Sequence, residues 1–165
     1  MKKWAHLFCL FILISSLSSC EEGFVINESH SFSDTGWPMK QKVIFPFEIK
    51  DSLTSYDLSV SIRQSNDYPF HNFYFLTKIM NQKGQTIKQG LAEAFFYDPK
   101  SGKSIGQSSG SIIGHKYLIL KHIKFPRNEK YIVQLEQYMR KDTIPGIVSI
   151  GASIAPIDEN NGKNR

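Results

Sequence analysis

Thiols are scarce in this chain: of its 165 residues only Cys9 and Cys20 carry one. Long apolar runs are missing too. The longest stretch, Trp4 to Leu17, is about 14 residues, whereas a membrane-spanning helix needs roughly 20, so a permanent transmembrane anchor is the weaker reading. Basic clusters are absent as well. Lys+Arg number 20 against 15 Asp+Glu, but the lysines are spread singly, and a nucleic-acid protein would gather them on one face or helix. No Gly-x-Ser-x-Gly surrounds Ser108-Ser109-Gly110-Ser111, so there is no nucleophile elbow. The glycines between Gly102 and Gly114 lack the following Gly-Lys-Ser/Thr of a phosphate loop and are assigned to turns.

The short apolar run has a clear role. Lys2 and Lys3 precede it, and Ser18, Ser19 and Cys20 close it. A basic start, a short apolar core and small residues before a cut define a secretory signal peptide. Leu17-Ser18-Ser19-Cys20 resembles a bacterial lipobox, in which the cysteine thiol is diacylated and the signal is cut just before it. One acyl chain binds a bilayer marginally and two or more hold it firmly, at about 0.8 kcal/mol per buried methylene. An ordinary signal with an incidental Cys20 is the alternative. Cleavage there removes Cys9 and converts Cys20 to a thioether, which leaves no thiol for a disulfide, a thiolate zinc site or a cysteine nucleophile. Without Lys2 and Lys3 the balance becomes 18 basic against 15 acidic residues, a net +3. The remaining residues, 20–165, are numerous enough to bury roughly two-thirds of their unfolded surface.

Residues 20–39 are expected to be a lipid-anchored, flexible tether, being polar and without periodicity. Trp37-Pro38 ends it and is expected to pack over the edge of a sheet. From Lys42 the period is two: Val43, Phe45, Phe47 and Ile49 alternate with Ile44, Pro46 and Glu48, and Pro46 places that strand at an edge or bulge. Tyr56, Leu58, Val60 and Ile62 form the clearest half-buried strand. Phe70 to Met80 is an aromatic strand, and Asn81-Gln82-Lys83-Gly84 a turn. Segment 86–97 reads as a strand, although Ile87, Leu91, Ala94 and Phe95 also suit one helical face. Ser111 to Phe125 gives one or two strands interrupted near Gly114, followed by strands over Tyr131–Met139 and Ile147–Ile154. About eight strands with short turns indicate an all-β antiparallel sandwich or jelly roll over 40–157, after a signal peptide at 1–19 and before a disordered tail at 158–165.

Chemistry is harder to find. His115 and His122 are seven apart, on opposite faces of a continuous strand, and no histidine has a second ligand at metal spacing; no metal or cofactor is expected. Glu93, Glu136 and Asp142 are the carboxylates a glycoside hydrolase would have to pair across a cleft. Glu136 shares the outward face of its strand with Tyr138 and Arg140, and Arg63 ends another outward face, so cross-strand ion pairs are the simpler expectation. Arg63 and Arg140 are then structural, with Glu136 and Asp142 as partners. The chain is not expected to be an enzyme.

Two segments go beyond a generic β-protein. Tyr56 to Arg63 leads into Asn66-Asp67-Tyr68-Pro69-Phe70-His71-Asn72-Phe73, and Gln137-Tyr138-Met139-Arg140-Lys141-Asp142 precedes Ile144-Pro145-Gly146-Ile147 and Gly151. With the lipobox and Trp37, they resemble the gliding-motility lipoprotein family GldH of the Bacteroidota. The chain departs from that pattern at Gln89 to Glu93 and at Ser149, where an acidic residue is common. The resemblance implies a non-catalytic envelope lipoprotein, a component or accessory of a gliding apparatus in which adhesins move through type IX secretion. It places the protein in the outer membrane, with envelope proteins as partners and neither nucleic acid nor a small-molecule ligand. The shared residues Trp37, Arg63, Tyr68, Pro69, Asn72, Gln137, Met139, Arg140 and Gly146 are expected to be structural or interaction positions. Tyr68-Pro69 fixes an extended lead into the aromatic strand, Met139 points inward with Val133 and Leu135, and Gly146 and Gly151 suit a turn and a bulge. A second expectation, from an aromatic content of 13%, is a glycan-binding module of the envelope, which would show Trp37, Tyr74 and Tyr97 exposed in one cleft.

Overall fold

A computed structural model of the chain describes residues 23–157. The expected signal peptide at 1–19, the expected lipidation site Cys20 and the expected tail at 158–165 lie outside them. The described residues contain eleven strands and no helix: β1 (Ile26–Ser31), β2 (Trp37–Pro38), β3 (Val43–Glu48), β4 (Tyr56–Ser65), β5 (Asn72–Asn81), β6 (Thr86–Phe95), β7 (Gln107–Ser109), β8 (Ile112–Ile123), β9 (Lys130–Gln137), β10 (Thr143–Ile144) and β11 (Ile147–Pro156). They build a five-stranded sheet in the order β1-β11-β4-β8-β7 and a four-stranded sheet in the order β3-β9-β5-β6, with β10 and β2 forming a small ribbon. Every pairing is antiparallel.

The core lies between the two sheets because each contributes one apolar row. Leu58, Val60 and Ile62 of β4 are completely buried, as are Phe73, Phe75 and Ile79 of β5 and Val133 and Leu135 of β9. Full burial of such a side chain contributes about 1.5–3 kcal/mol. Aromatic rings close the two ends of this layer. Phe47, Tyr56, Phe125 and Tyr131 gather at one end, with Phe125 and Tyr131 4.8 Å apart between ring centroids. Trp37, Tyr68, Phe73 and Phe96 gather at the other, with Tyr68 and Phe96 5.0 Å apart. The high aromatic content is therefore mostly core.

Strand β3 sits at a sheet edge, where Pro46 costs no ladder bond, and segment 86–97 contains a strand that pairs with β5. Three expectations need correction. Ile26–Ser31 is no tether: it pairs along its whole length with β11, from Ile26–Ile154 to Ser31–Ser149. As an edge strand it buries only Ile26, so its sequence shows no period of two. Residues 112–123 form one continuous strand through Gly114. Gly151 is no bulge, since it pairs regularly with Ser61 and Ser29; the irregularity in β11 falls between Ile147 and Ser149.

Candidate functional site

Most of the marked residues meet at one end of the sandwich and hold it together. Tyr68 is buried, and its hydroxyl donates to the Asn72 carbonyl at 2.6 Å. That closes the loop across Pro69. Burial pushes the Tyr68 phenol far above its ordinary pKa, so it stays a neutral donor. The Asn72 amide donates to Glu93 Oε1 across the β5–β6 pair at 2.5 Å. Gly146, at φ 76°, turns the chain directly against Tyr68, where a Cβ would collide with the Tyr68 main chain. Its carbonyl accepts the Ser65 N–H at 2.8 Å. The Gln137 side chain clamps the loop after β9, donating to the Lys141 carbonyl at 2.7 Å and accepting the Met139 N–H at 2.9 Å.

Met139 follows the end of β9 and is only half-buried; its Sδ accepts the Tyr74 N–H at 3.1 Å. Trp37 lies in the core itself, stacked on Phe32 at 4.9 Å, with its indole N–H donating to the Gln41 carbonyl. It is held there by the pairing of Trp37 with Ile144 in the β2–β10 ribbon. Trp37, Tyr74 and Tyr97 therefore form no exposed aromatic cleft, because Trp37 is wholly buried.

The arginines depart from expectation. Glu136 projects from the four-stranded sheet and Arg63 from the five-stranded one, so they cannot pair. The ion pairs among the described residues both belong to Glu136, with Lys78 at 2.8 Å and Lys42 at 4.0 Å. Burial raises the Glu136 pKa, but hydrogen bonds from Lys78 and Gln134 and the charges of Lys78 and Lys42 outweigh it and leave it lowered. Arg140 is exposed at φ 55° in the clamped loop, and the Asp142 carbonyl receives the Met39 N–H. Sequence spacing missed this because strand periodicity gives a face and not a sheet.

Among the described residues no cluster of metal-binding side chains occurs. His115 is buried, stacked on Phe96 at 4.5 Å and 3.4 Å from the Gln64 amide nitrogen; desolvation holds its pKa below the usual imidazole value.

Arg63 belongs instead to an open groove of about 950 Å³ on the outer face of the five-stranded sheet. Cross-strand register arranges it in rows. Gly114, Arg63 and Ser149 form one row; Lys116, Ser61, Gly151 and Ser29 form the next. The hairpin of β7 and β8 walls one side with Gln107, Ser108 and Ser109. Lys116 and the serines went unmarked in the sequence. Their only signal is the serines on the outward face, Ser59 and Ser61 before Arg63 and Ser149 and Ser153 on either side of Gly151.

Fold and surface together define a small all-β domain whose marked residues mostly maintain its own architecture and whose outer face carries a polar groove. The model of the GldH lipoprotein family matches residues 24–154, and the chain belongs to that family. It is 30% identical over 163 residues to a gliding motility lipoprotein GldH homolog of Christiangramia forsetii, covering 92% of this chain and 97% of that protein. It is likewise 30% identical over 135 residues to the gliding motility lipoprotein GldH of Flavobacterium johnsoniae, covering 81% and 82%. Among solved structures, the VP2 subviral particle of infectious bursal disease virus is 11% identical with a TM-score of 0.36, covering 82% of this chain and 31% of that one. The ANX2 ectodomain of Arabidopsis thaliana is 14% identical with a TM-score of 0.38, covering 80% and 32%. At these scores neither adds to the account of the fold.

Proposed function

We propose that this protein is a non-catalytic, lipid-anchored component or accessory of a gliding-motility apparatus, attached through Cys20 to the outer membrane and linked to type IX secretion and adhesin movement. The observation that carries this reading is the family match along almost the entire domain, with two relatives named as gliding-motility lipoproteins. The architectural use of Tyr68, Gln137, Gly146 and Trp37 supports the non-catalytic part of this reading, because all four serve the fold. Deleting the gene is expected to stop colony spreading and cell gliding, with recovery on return of the wild-type gene. A deletion strain that glides normally would overturn the reading. Density-gradient separation is expected to place the protein with outer-membrane markers.

A further inference from the structure

The groove on the outer face of the five-stranded sheet has an unusual accounting of polar groups. Arg63 and Lys116 both line it, and the ion pairs among the described residues lie on the other sheet with Glu136. Lys116 Nζ sits instead 5.5 Å from the centre of the Phe24 ring, a contact that leaves its charge uncompensated. Glu28 is the acidic residue along the groove, but it alternates with Asn27 and Ser29 and so projects to the opposite face. Ser61 neighbours both cations, Ser149 lies beside Arg63 on β11 and Ser29 two strands beyond Ser61 on β1, and none of the three hydroxyls is hydrogen-bonded to another described side chain. Ser149 is only 5% exposed, so its hydroxyl lies deep in the floor. Gly151 keeps that floor low: a Cβ there would stand 2.8 Å from the Glu28 carbonyl oxygen and 2.5 Å from Ser61 Oγ.

From this arrangement we propose that the groove binds an acidic saccharide, its ring hydroxyls meeting the serines and its anionic group meeting Arg63 and Lys116. A planar guanidinium suits a carboxylate or similar anion through paired hydrogen bonds. The main-chain groups of β4 and β11 are engaged in ladders on both sides, so an extended peptide finds no backbone partners on this face. A bare inorganic anion leaves most of the 950 Å³ unfilled, a volume near the top of the range for ligand sites of roughly 300–1,000 Å³. An uncharged sugar leaves both cations unmatched. The proposal concerns a ligand and does not depend on the gliding reading.

The test is isothermal titration of the full-length acylated protein in detergent micelles, at low salt. Tetragalacturonate, uncharged maltotetraose and inorganic phosphate are compared as probes. Tetragalacturonate is expected to bind, and raising the salt to weaken it. Arg63→Gln and Lys116→Gln are each expected to weaken it about tenfold or more, the scale of one charge-assisted hydrogen bond. Both side chains project from the outer face, so the melting temperature is expected to stay unchanged, which separates lost binding from lost folding. Ser61→Phe, filling the groove from the same face, is expected to abolish binding without altering charge. Failure of tetragalacturonate to bind would overturn the proposal, as would equal binding by the doubly substituted protein. Equally tight binding of maltotetraose or phosphate would overturn it too, by showing a neutral or bare-anion site.

Discussion

At position 146 a single hydrogen atom separates a turn from a collision. Gly146 has φ 76°, a conformation that L side chains avoid, and lies against the main chain of Tyr68. Gly146→Ala is therefore expected to cost roughly 1–3 kcal/mol from backbone strain alone, with the steric clash adding to it. Urea denaturation of the purified variant measures this, and an unchanged midpoint would remove the turn from the account. Arg140 provides the converse case. It occupies φ 55° without being glycine and is exposed, so Arg140→Gly is expected to leave stability equal or slightly higher, by up to about 1 kcal/mol. Loss of gliding in that stable variant would assign Arg140 to a binding surface. His115 supplies the pH dependence. Desolvation lowers its folded pKa from the ordinary value of 6.5, so the unfolded chain takes up the proton first. Stability is then constant above that value and falls as the pH drops through it, with a slope below about 1.4 kcal/mol per unit. Thermal melts from pH 8 to pH 5, compared with His115→Phe, are expected to show a flatter profile in the variant.

At the scale of elements, the legible parts of the sequence were those with one face in the core. β3, β4, β5 and β9 announce themselves by alternation because each buries every second side chain. β11 is harder, since its middle is buried on both faces: Ile150, Ala152 and Ile154 on the core side, Ser149, Gly151 and Ser153 on the other. Edge strand β1 is silent because five of its six residues are not buried. Which strands share a sheet is set by pairing over long separations, and this hid both the true partner of Glu136 and the meeting of Lys116 with Arg63 in one groove. β1 yields a direct test. Removal of residues 21–32 is expected to expose the full edge of β11, whose apolar residues and free main-chain groups template association. Gel filtration is expected to show oligomers or precipitate, and melting to occur at lower temperature. A truncated protein that stays monomeric and equally stable would restore the tether reading of that segment.

On the scale of the whole molecule, the distance between lipid and domain becomes the governing quantity. Only residues 21–25 separate Cys20 from Ile26, the first residue of β1. A chain extends by at most about 3.3–3.6 Å per residue, so an acylated Cys20 would hold Ile26, the start of β1, within about 20 Å of its lipid. The anchor itself is chemically isolated. Cys9 and Cys20 are the two thiols of the chain; if cleavage before Cys20 removes Cys9, a diacylglyceryl thioether on the processed protein must be at Cys20. Cells fed an alkyne palmitate are expected to label the wild-type protein and not Cys20→Ala. The variant is also expected to keep its signal peptide and run larger on a gel, because the cut falls just before an acylated cysteine. Its domain is expected to fold unchanged, since Cys20 precedes every strand, so the variant isolates anchoring from stability. A wild-type protein that takes no label would end the lipid-anchor assignment, and with it the short leash on Ile26.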